Sequence, residues 1–356
     1  MSRIPAEPPA PSALPGASQR TGTSSRLPVP ALRVVVTGAT GFVGRRLCAR
    51  LMAAGNTVTA LVRRSSRTEH LTAHRILHAD LTTGEGLRAA ALGSDCVIHL
   101  AAVVKARTAR GYQQCNTDGT RRLAEALLDL PTPPRLVLCS SLAAAGPSLD
   151  GRPRTEDQLP APVSHYGRSK LGGENAARNH AERLQVVILR PPIVYGPGDP
   201  AFLPALLPMI RSGFVIKGGL GPKRYSLLHV DDLCDALTSA CHRGTTVRQD
   251  DLVSGIYTVS DGVEHTWHQL CATVAAALGR RPPLVLPLPA TAAYPVACAA
   301  EAAGLLSGFV PALNRDKVKE LRQTAWTCST ERARLELGFT AAVPLAEGIA
   351  HYLTTL

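Results

Sequence analysis

Short apolar segments alternate with amphipathic ones along the first half of the chain. Clusters of β-branched and other apolar residues predict strands at 32–37, 57–62, 75–78, 96–100, 135–139 and 185–189. Apolar positions at helical spacing between them predict helices at 45–54, 87–92, 117–130 and 166–184. This alternation predicts an α/β fold in which helices cover both faces of a doubly wound parallel sheet.

The regular alternation fades after Pro191, where proline and glycine interrupt the chain. Further helices are predicted near 232–242, 266–279, 294–306 and 330–337. We therefore predict a main domain over 31–190 and a smaller C-terminal substrate-binding lobe over 191–356, with some segments of the lobe returning to the main domain.

Residues 1–30 are rich in Pro, Ser and Ala, which predicts a disordered tail. The tail lacks the apolar core of a secretory signal, although its Arg and Ser content also fits a transit peptide. The chain has 9 cysteines, without a CxxC pair or a Cys/His cluster at zinc spacing. These features predict reduced thiols, no metal site and a cytoplasmic location.

Composition and charge narrow the choice of partners. Hydrophobic residues make up 45% of the 356 residues, enough for a sizeable core, and the formal net charge is +12. The basic residues are scattered and not interleaved with aromatics, which is typical of a solvated surface rather than of nucleic-acid binding. We expect a small-molecule substrate and no nucleic-acid partner.

Residues 282–300 carry no charge, and the apolar character continues to 311. Five prolines interrupt this run, so we do not expect a membrane-spanning helix, which needs about 20 continuous apolar residues. A pocket wall, an oligomer face and a peripheral membrane contact through 282–311 all remain open.

A glycine-rich turn separates the first predicted strand from the first helix, with the sequence TGATGFVG over 37–44. Glycines let the backbone approach a pyrophosphate, and a helix that starts there directs free N–H groups at the anion. The spacing is GxxGxxG rather than GxGxxG, but its strand–turn–helix context indicates a Rossmann-type dinucleotide site. Cofactor contacts are predicted at Gly38, Thr40, Gly41, Phe42, Val43 and Gly44.

The end of the second predicted strand bears on the choice of cofactor. An acidic residue there would accept the ribose 2′-hydroxyl of NAD, but Val62 occupies the expected position. Arg63 and Arg64 follow, and a guanidinium suits a 2′-phosphate. We therefore predict NADP(H), with NAD as the alternative if both arginines are ordinary surface charges.

Tyr166 and Lys170 are four residues apart and so lie on one face of a predicted helix. Lowering a tyrosine pKa from 10 to 7 takes about 4 kcal/mol, and a cation about 4 Å away supplies an amount of that order. Lys170 is therefore expected to poise Tyr166 for proton transfer. Ser141, at the carboxyl end of a predicted strand, is expected to bind the reacting oxygen, although Ser140 and Ser141 also fit simple turn positions.

From about Leu32 to the C-terminus the chain resembles extended short-chain dehydrogenases/reductases, the epimerase/dehydratase branch that includes 3β-hydroxysteroid dehydrogenases. The resemblance is carried, in family order, by TGATGFVG, HLAA (99–102), SS (140–141), YGRSK (166–170), RPPIVYGPGD (190–199) and HVDDL (229–233). It implies catalytic roles for Ser141, Tyr166 and Lys170, and a supporting role for Asn116 beneath the active-site helix. It also implies cofactor contacts at Asp80, Leu81, Leu100, Ala101, Ala102, Tyr166, Lys170, Pro191, Pro192 and Ile193.

The resemblance further places the segment 224–232 where the second lobe meets the substrate, although His229 and Asp231 fit a purely structural turn equally well. Leu142 and Ala143 stand where sugar-nucleotide dehydratases of this family have an Asp-Glu pair, which argues against dehydration. Family members often dimerise through two helices, so a homodimer through 117–130 and 166–184 is expected.

Three functions compete at this point. The first is an alcohol/ketone dehydrogenase for an apolar sterol- or isoprenoid-like substrate, including oxidation of a 3β-hydroxy-4-carboxy sterol with decarboxylation. The second is a nucleotide-sugar epimerase that retains NAD, against which Val62 argues. The third is a non-catalytic NADP sensor, which is the least favoured because Tyr166 and Lys170 are both present.

Overall fold

The molecule is described by a computed structural model over residues 30–289, 291–292, 294–295, 297–299, 301 and 314–356. Its strands are β1 (Arg33–Thr37), β2 (Thr57–Val62), β3 (Arg75–His78), β4 (Cys96–His99), β5 (Arg135–Cys139), β6 (Val186–Arg190), β7 (Ile193–Tyr195), β8 (Phe214–Gly218), β9 (Arg224–Tyr225), β10 (Leu227–His229), β11 (Ile256–Thr258), β12 (His265–Thr266), β13 (Leu284–Leu288) and β14 (Ala325–Trp326). Seven of them form one parallel sheet in the order β11-β6-β5-β4-β1-β2-β3. This order confirms the predicted doubly wound α/β fold.

Helices connect these strands. They are α1 (Phe42–Ala53), α2 (Leu87–Ala91), α3 (Ala109–Tyr112), α4 (Gly119–Leu128), α5 (Leu142–Ala145), α6 (His165–Arg178), α7 (Phe202–Arg211), α8 (Val230–His242), α9 (Trp267–Ala277), α10 (Arg315–Leu321) and α11 (Leu345–Leu353). The described residues also include two π-helical segments, Gln113–Asp118 and Ala333–Leu337. The first of them leads directly into α4, where a single longer helix was predicted.

The helix predicted over 166–184 ends at Arg178 instead. Its apolar periodicity runs on through Ala181 and Leu184, and both residues pack against the core from the turn that follows the helix. The apolar pattern therefore predicts correctly that Ala181 and Leu184 are buried, but it predicts the wrong secondary structure for them. A residue in a turn can cover the sheet as a residue in a helix does.

Apolar clusters cover both faces of the sheet. One of them includes Val36, Leu47 and Leu233, so α8 packs on the same face as α1. Segments beyond residue 190 thus return to the main sheet as α8 and β11. A third cluster, around Tyr195 and Leu206, consists entirely of residues beyond 192, in the part of the chain predicted to form the C-terminal lobe.

Residues 31–356 form one compact unit. The tail predicted over 1–30 lies, except for Pro30, outside the described residues, as does most of the helix predicted near 294–306. Over the part of the chain that the structure describes, no helix is long and apolar enough to cross a bilayer. Nor do three or more His, Cys, Asp or Glu side chains gather there as a metal site would require.

A buried ion pair joins α6 to the end of β6. Arg190 donates from Nε to Glu174 Oε1 at 2.9 Å and from Nη2 to Glu174 Oε2 at 2.6 Å. Ser140, directly after β5, also donates to Glu174 Oε1. Both charged side chains are at most 1% exposed, so each depends on the other for compensation of its charge. The pair therefore fixes where α6 lies against the two central strands.

Replacing Glu174 by Ala should lower the free energy of unfolding by roughly 3–5 kcal/mol, because it leaves the Arg190 guanidinium buried without its counter-charge. Urea unfolding of the purified chain measures this change. The matched control is Glu125→Ala, which breaks the exposed Arg121–Glu125 pair at 2.7 Å and should cost less than about 1 kcal/mol. Similar losses in the two variants would contradict the structural role given to the buried pair.

Candidate active site

The glycine turn between β1 and α1 packs against the end of β4 with no room for side chains. Gly38 has φ +68°, and a Cβ atom there would lie 2.7 Å from the Ala101 nitrogen. At Gly44 a Cβ atom would lie 2.2 Å from the Gly38 oxygen. At Gly41 the nearest atom would be the same oxygen at 3.2 Å, the only one within 4 Å. Gly38 and Gly44 thus allow the tight turn, while Gly41 leaves space beside it.

The first turn of α1 is suited to an anion. Gly41 is its N-cap and supplies no side-chain hydrogen bond, and the first turn, which includes Phe42 and Val43, contains no acidic residue. Arg45 Nε donates to the carbonyl of Thr40 at 2.9 Å, which adds a positive charge beside the turn. Free N–H groups, the helix dipole and open space next to Gly41 fit the pyrophosphate of a dinucleotide.

The two arginines after β2 differ in their surroundings. Arg64 Nη2 lies 3.6 Å from Glu85 Oε1, and its side chain is 80% exposed. Arg63 acts electrostatically on the Cys115 thiol. Burial raises the pKa of this thiol, and the positive charge of Arg63 opposes that rise. The negative charge of Asp80 acts on the same thiol, and the Asp80 carboxylate accepts from the Thr82 N–H at 2.6 Å. Leu81, next in the chain, accepts a long hydrogen bond of 3.4 Å from Arg122.

A chain of buried hydrogen bonds runs inward from the cofactor turn. The Ala101 N–H donates to Thr37 Oγ1 at 3.2 Å, and Thr37 Oγ1 lies 2.6 Å from His99 Nδ1. His99 Nε2 lies 3.1 Å from Thr120 Oγ1, which itself donates to the Asn116 carbonyl at 2.7 Å. Because Thr120 gives its one proton to the Asn116 carbonyl, it accepts from His99 Nε2–H. Burial lowers the pKa of His99, so Nδ1 carries no proton and accepts from Thr37. His99 is therefore neutral with its proton on Nε2.

Asn116 lies in the π-helical segment before α4 and extends this chain to α6. Its side chain exchanges two hydrogen bonds with the backbone of Val103, at 2.8 and 3.0 Å. Its amide also donates to Ser169 Oγ at 2.9 Å, and Ser169 donates to the Tyr166 carbonyl at 2.7 Å. Asn116 therefore supports the helix that carries Tyr166, in the position that the family resemblance implies.

The N-terminus of α6 is capped twice. Ser164 Oγ accepts from the Gly167 N–H at 2.9 Å. The carboxylate of Asp316, from α10 of the C-terminal lobe, accepts from the His165 N–H at 2.9 and 2.8 Å and from the Tyr166 N–H at 3.4 Å. A negative charge at a helix N-terminus is favourable, so the C-terminal lobe helps to hold the start of α6.

Tyr166 is half-buried in the first turn of α6. Burial raises the pKa of Tyr166, and a hydrogen bond with Ser141 acts in the opposite direction. Ser140 faces the other way, because its hydroxyl is bound to the buried Glu174 carboxylate. The structure thus distinguishes the two neighbouring serines: Ser141 Oγ caps α5 by accepting from the Ala143 N–H at 3.2 Å, whereas Ser140 binds the carboxylate that α6 carries.

The spacing of four residues predicts that the Lys170 ammonium lies beside Tyr166. The hydrogen bond that Lys170 forms is with another group. Its Nζ donates to the carbonyl of Cys139, the last residue of β5, at 2.7 Å. Burial lowers the pKa of Lys170, and the groups that act on the Tyr166 pKa are its own burial, Ser141 and more distant side chains. The physical reason is that a buried ammonium needs a hydrogen-bond acceptor, and the free carbonyl at the strand end supplies one.

The remaining predicted positions line the same edge of the sheet. Leu100, Ala101 and Ala102 follow β4 directly and are half-buried. The Pro191 carbonyl accepts from the Leu142 N–H at 2.8 Å, which joins the segment of Pro191, Pro192 and Ile193 to the start of α5. Leu142 and Ala143 are buried. The positions at which family dehydratases carry acidic residues are thus part of the core here.

The segment 224–232 serves structural contacts. His229 is buried and caps α8 by accepting from the Asp231 N–H at 3.3 Å. Asp231 accepts from Arg46 Nη2 of α1 at 2.8 Å. Arg224 donates to the Gly151 carbonyl at 2.6 Å and lies 3.4 Å from Glu264.

Sequence reasoning did not single out Glu174, Asp316 or Tyr112. Tyr166, Lys170 and Glu174 follow one another at a spacing of four and so share one face of α6. This spacing is the signal in the sequence that could have identified Glu174. Asp316 is more than a hundred residues from α6, and no local pattern indicates that contact. The Tyr112 ring packs edge-on against Tyr166 with centroids 6.2 Å apart.

Comparison with known proteins is consistent with this geometry. The model of the NAD-dependent epimerase/dehydratase family matches residues 34–254. A ceramide reductase from Caulobacter vibrioides is 31% identical over 325 residues, which cover 89% of this chain and 92% of that protein. The 4-hydroxy-2-methyl-3-oxo-4-farnesyl-3,4-dihydroquinoline-1-oxide ketoreductase of Stigmatella aurantiaca is 32% identical over 60% of this chain and 65% of its own.

Among solved structures, MoeE5 in complex with UDP-glucose and NAD is similar with a TM-score of 0.68 and 28% identity. The match covers 91% of this chain and 98% of that one. Together with the family model, these similarities confirm the resemblance seen in the sequence motifs.

Replacing His99 by Gln should remove an acid-sensitive contribution to stability. Burial, helped by the charge of Lys170, lowers the pKa of His99 from 6.5 to about 3 in the folded chain. The unfolded chain therefore takes up a proton first as the pH falls, and stability is lost from about pH 6.5 downwards. Between pH 7 and pH 5 this effect should lower the free energy of unfolding of the wild type by about 2 kcal/mol and should not lower that of the variant. Urea unfolding at the two pH values measures the difference.

The exposed His70 supplies the control, because His70→Gln touches no buried network. Its stability relative to the wild type should be the same at both pH values. If the gap between the wild type and His99→Gln stays constant from pH 7 to pH 5, His99 is not held neutral and the hydrogen-bond directions given above are wrong.

Proposed function

The chain belongs to the NAD-dependent epimerase/dehydratase family, and from this premise we propose that it is an NADP(H)-dependent reductase of a keto group on an apolar, lipid-like substrate. The observation that carries the proposal is that α6 brings Tyr166 and Lys170 to the carboxyl end of β5, where Lys170 Nζ reaches the Cys139 carbonyl two residues before Ser141. In doubly wound sheets this edge is where ligands bind. The glycine turn before α1 lies at the same edge.

A bound reduced nicotinamide would supply the hydride that the carbonyl carbon accepts, and would itself be oxidised. Ser141 donates a hydrogen bond to the carbonyl oxygen and orients it. Tyr166 gives its phenolic proton to that oxygen as the alcohol forms. Burial raises the pKa of Tyr166, which favours the protonated phenol that a reduction requires. Lys170, free to leave the Cys139 carbonyl, is suited to hydroxyls of the nicotinamide ribose.

Two observations support an apolar substrate. The relatives include a ceramide reductase and a ketoreductase whose named substrate carries a farnesyl group. Loops that follow strands at the ligand-binding edge also expose large apolar side chains: Val104 after β4 is 63% exposed, and Leu149 and Leu159 after β5 are 71% and 74% exposed. Exposed apolar side chains around a cleft favour an apolar ligand. A 3β-hydroxysterol, with or without a 4-carboxylate, belongs to the same substrate class and is a narrower form of the proposal.

NADP(H) is favoured over NAD(H) by Arg63. Val62 occupies the position of the acidic residue that would bind a ribose 2′-hydroxyl, and the exposed Arg63 follows it directly at the end of β2. A guanidinium matches the 2′-phosphate in charge and geometry.

The second candidate is a nucleotide-sugar epimerase, which the similarity to MoeE5 with UDP-glucose and NAD favours. Such an enzyme needs no external cofactor, since it oxidises and reduces the same substrate. A non-catalytic sensor is the third candidate.

The proposal also includes a homodimer through α4 and α6, a cytoplasmic location and a membrane contact through 282–311.

Turnover with a substrate panel tests the reaction. The full chain is mixed with NADPH and a long-chain ceramide-type ketone, a 3-ketosteroid or UDP-glucose, and the absorbance of reduced nicotinamide is followed. We expect NADPH consumption with an apolar ketone and a loss of at least about 100-fold in kcat for Tyr166→Phe. The matched control is Tyr112→Phe, whose hydroxyl faces the Val104 carbonyl at 3.5 Å and whose loss should change kcat less than about threefold. Interconversion of UDP-sugars without added cofactor would establish the epimerase instead.

Calorimetric titration with NADPH and NADH tests the cofactor choice. Arg63→Ala should weaken NADPH binding by about 10- to 100-fold, the range expected for loss of a charge-assisted phosphate contact, and leave NADH binding unchanged. Arg64→Ala should have a smaller effect, because Arg64 lies beside Glu85. Equal weakening of both cofactors by Arg63→Ala would rule out recognition of the 2′-phosphate.

A further inference from the structure

Strands β8 and β13 form a two-stranded parallel sheet on the C-terminal lobe, and one of its faces is apolar and open. The register pairs Leu284 with Phe214 and Leu286 with Ile216. Side chains two residues apart on a strand share a face, so these four lie together. Their exposed fractions are 53% for Phe214, 51% for Ile216, 59% for Leu284 and 43% for Leu286.

The opposite face of the same sheet is packed along β8. Val215 is buried in the core of the C-terminal lobe. Lys217 is also buried, and its Nζ donates to the carbonyls of Leu220 and Gly221 at 3.1 and 2.9 Å. The alternation of buried and exposed side chains is regular along β8, so Phe214 and Ile216 point outward by the geometry of that strand. In β13, Leu284 and Leu286 are exposed on the same face, and Pro287 on the other face is exposed as well.

Three arginines border this apolar face at the end where both strands begin. Arg211 ends α7 just before β8, and Arg280 and Arg281 precede β13. Arg280 Nη1 donates to the Arg211 carbonyl at 2.8 Å, which holds the two chain segments together. All three side chains are exposed, and none forms an ion pair with a carboxylate of the described residues.

Apolar side chains bordered by unpaired arginines match the surface of a bilayer that contains anionic lipids. The apolar groups enter the acyl boundary, while the guanidinium groups bind phosphates of the headgroups. A second copy of the chain fits less well, because it would present the same apolar face and the same arginines, and so no anionic group for the guanidinium groups to bind. The net charge of +12 acts in the same direction as the arginines.

We propose that the β8–β13 face, with Arg211, Arg280 and Arg281, docks this chain on an anionic membrane surface. Docking is a property of the surface alone and goes beyond the proposed reaction, although it would bring the cleft close to lipid-like substrates. Tyr294, which follows β13 and is 51% exposed, is a side chain of the type that prefers the interface between water and lipid.

Cosedimentation of the full chain with vesicles tests the proposal. We expect binding to vesicles of phosphatidylcholine with phosphatidylglycerol, weak binding to phosphatidylcholine alone, and loss of binding as salt is raised. The double variant Ile216→Ser/Leu286→Ser should reduce the partition coefficient at least about tenfold, as should Arg280→Glu/Arg281→Glu. The second variant changes only exposed charges, so it remains informative if the first does not fold.

The matched control is Leu92→Ser/Leu335→Ser, because these leucines are 65% and 66% exposed elsewhere on the molecule. This variant should bind vesicles as the wild type does. The proposal is overturned if the wild type does not bind anionic vesicles or if both face variants bind unchanged. It is also overturned if light scattering shows a dimer that the face variants dissociate, without vesicle binding. Since no substrate or turnover is involved, none of these results bears on the proposed reaction.

Discussion

The position of α6 depends on one buried interaction, the ion pair between Glu174 and Arg190. Neither side chain reaches water, so each charge is compensated inside the protein or not at all. Arg190 ends β6, Ser140 follows β5, and both bind the carboxylate that α6 carries. With α6 fixed against these two strands, Tyr166 and Lys170 are held at the carboxyl end of the sheet, where Ser141 and the glycine turn also lie.

Further contacts align α6 along its length. Asn116 reaches Ser169 from the π-helical segment, and Asp316 caps the first turn from the C-terminal lobe. His99 connects the Asn116 end of this network to Thr37 at the cofactor turn. The turn expected to hold the cofactor and the helix expected to transfer the proton are thus parts of one hydrogen-bonded structure, and neither moves without disturbing the other.

Burial acts on the two reactive groups in opposite directions. It raises the pKa of Tyr166 and lowers that of Lys170, so it favours the uncharged form of both. The simple expectation of an ammonium that lowers the pKa of its neighbouring phenol therefore does not describe this state of the chain. A neutral phenol is the form that donates a proton during reduction, whereas oxidation of an alcohol would require the phenolate.

Much of this arrangement was predictable from the sequence because it is local. The strand limits of β2, β3 and β5 follow from apolar clusters bounded by turns, and the glycine turn follows from its motif. The end of α6 was not predictable, since Leu184 continues the helical periodicity from within a turn. The contact of Asp316 with α6 and the attachment of Lys170 to the Cys139 carbonyl depend on tertiary packing, which leaves no periodic trace. Likewise, Ser140 and Ser141 look equivalent in sequence, and only the buried Glu174 carboxylate distinguishes them.

A crystal structure of the full chain with NADP⁺ tests the central claim most directly. We predict that the phenolic oxygen of Tyr166 lies within hydrogen-bond distance of the Ser141 hydroxyl, that both face the nicotinamide ring, and that the Lys170 ammonium has moved from the Cys139 carbonyl to the nicotinamide ribose. A nicotinamide seated away from Tyr166, or a dinucleotide bound elsewhere than on the turn before α1, would contradict the account.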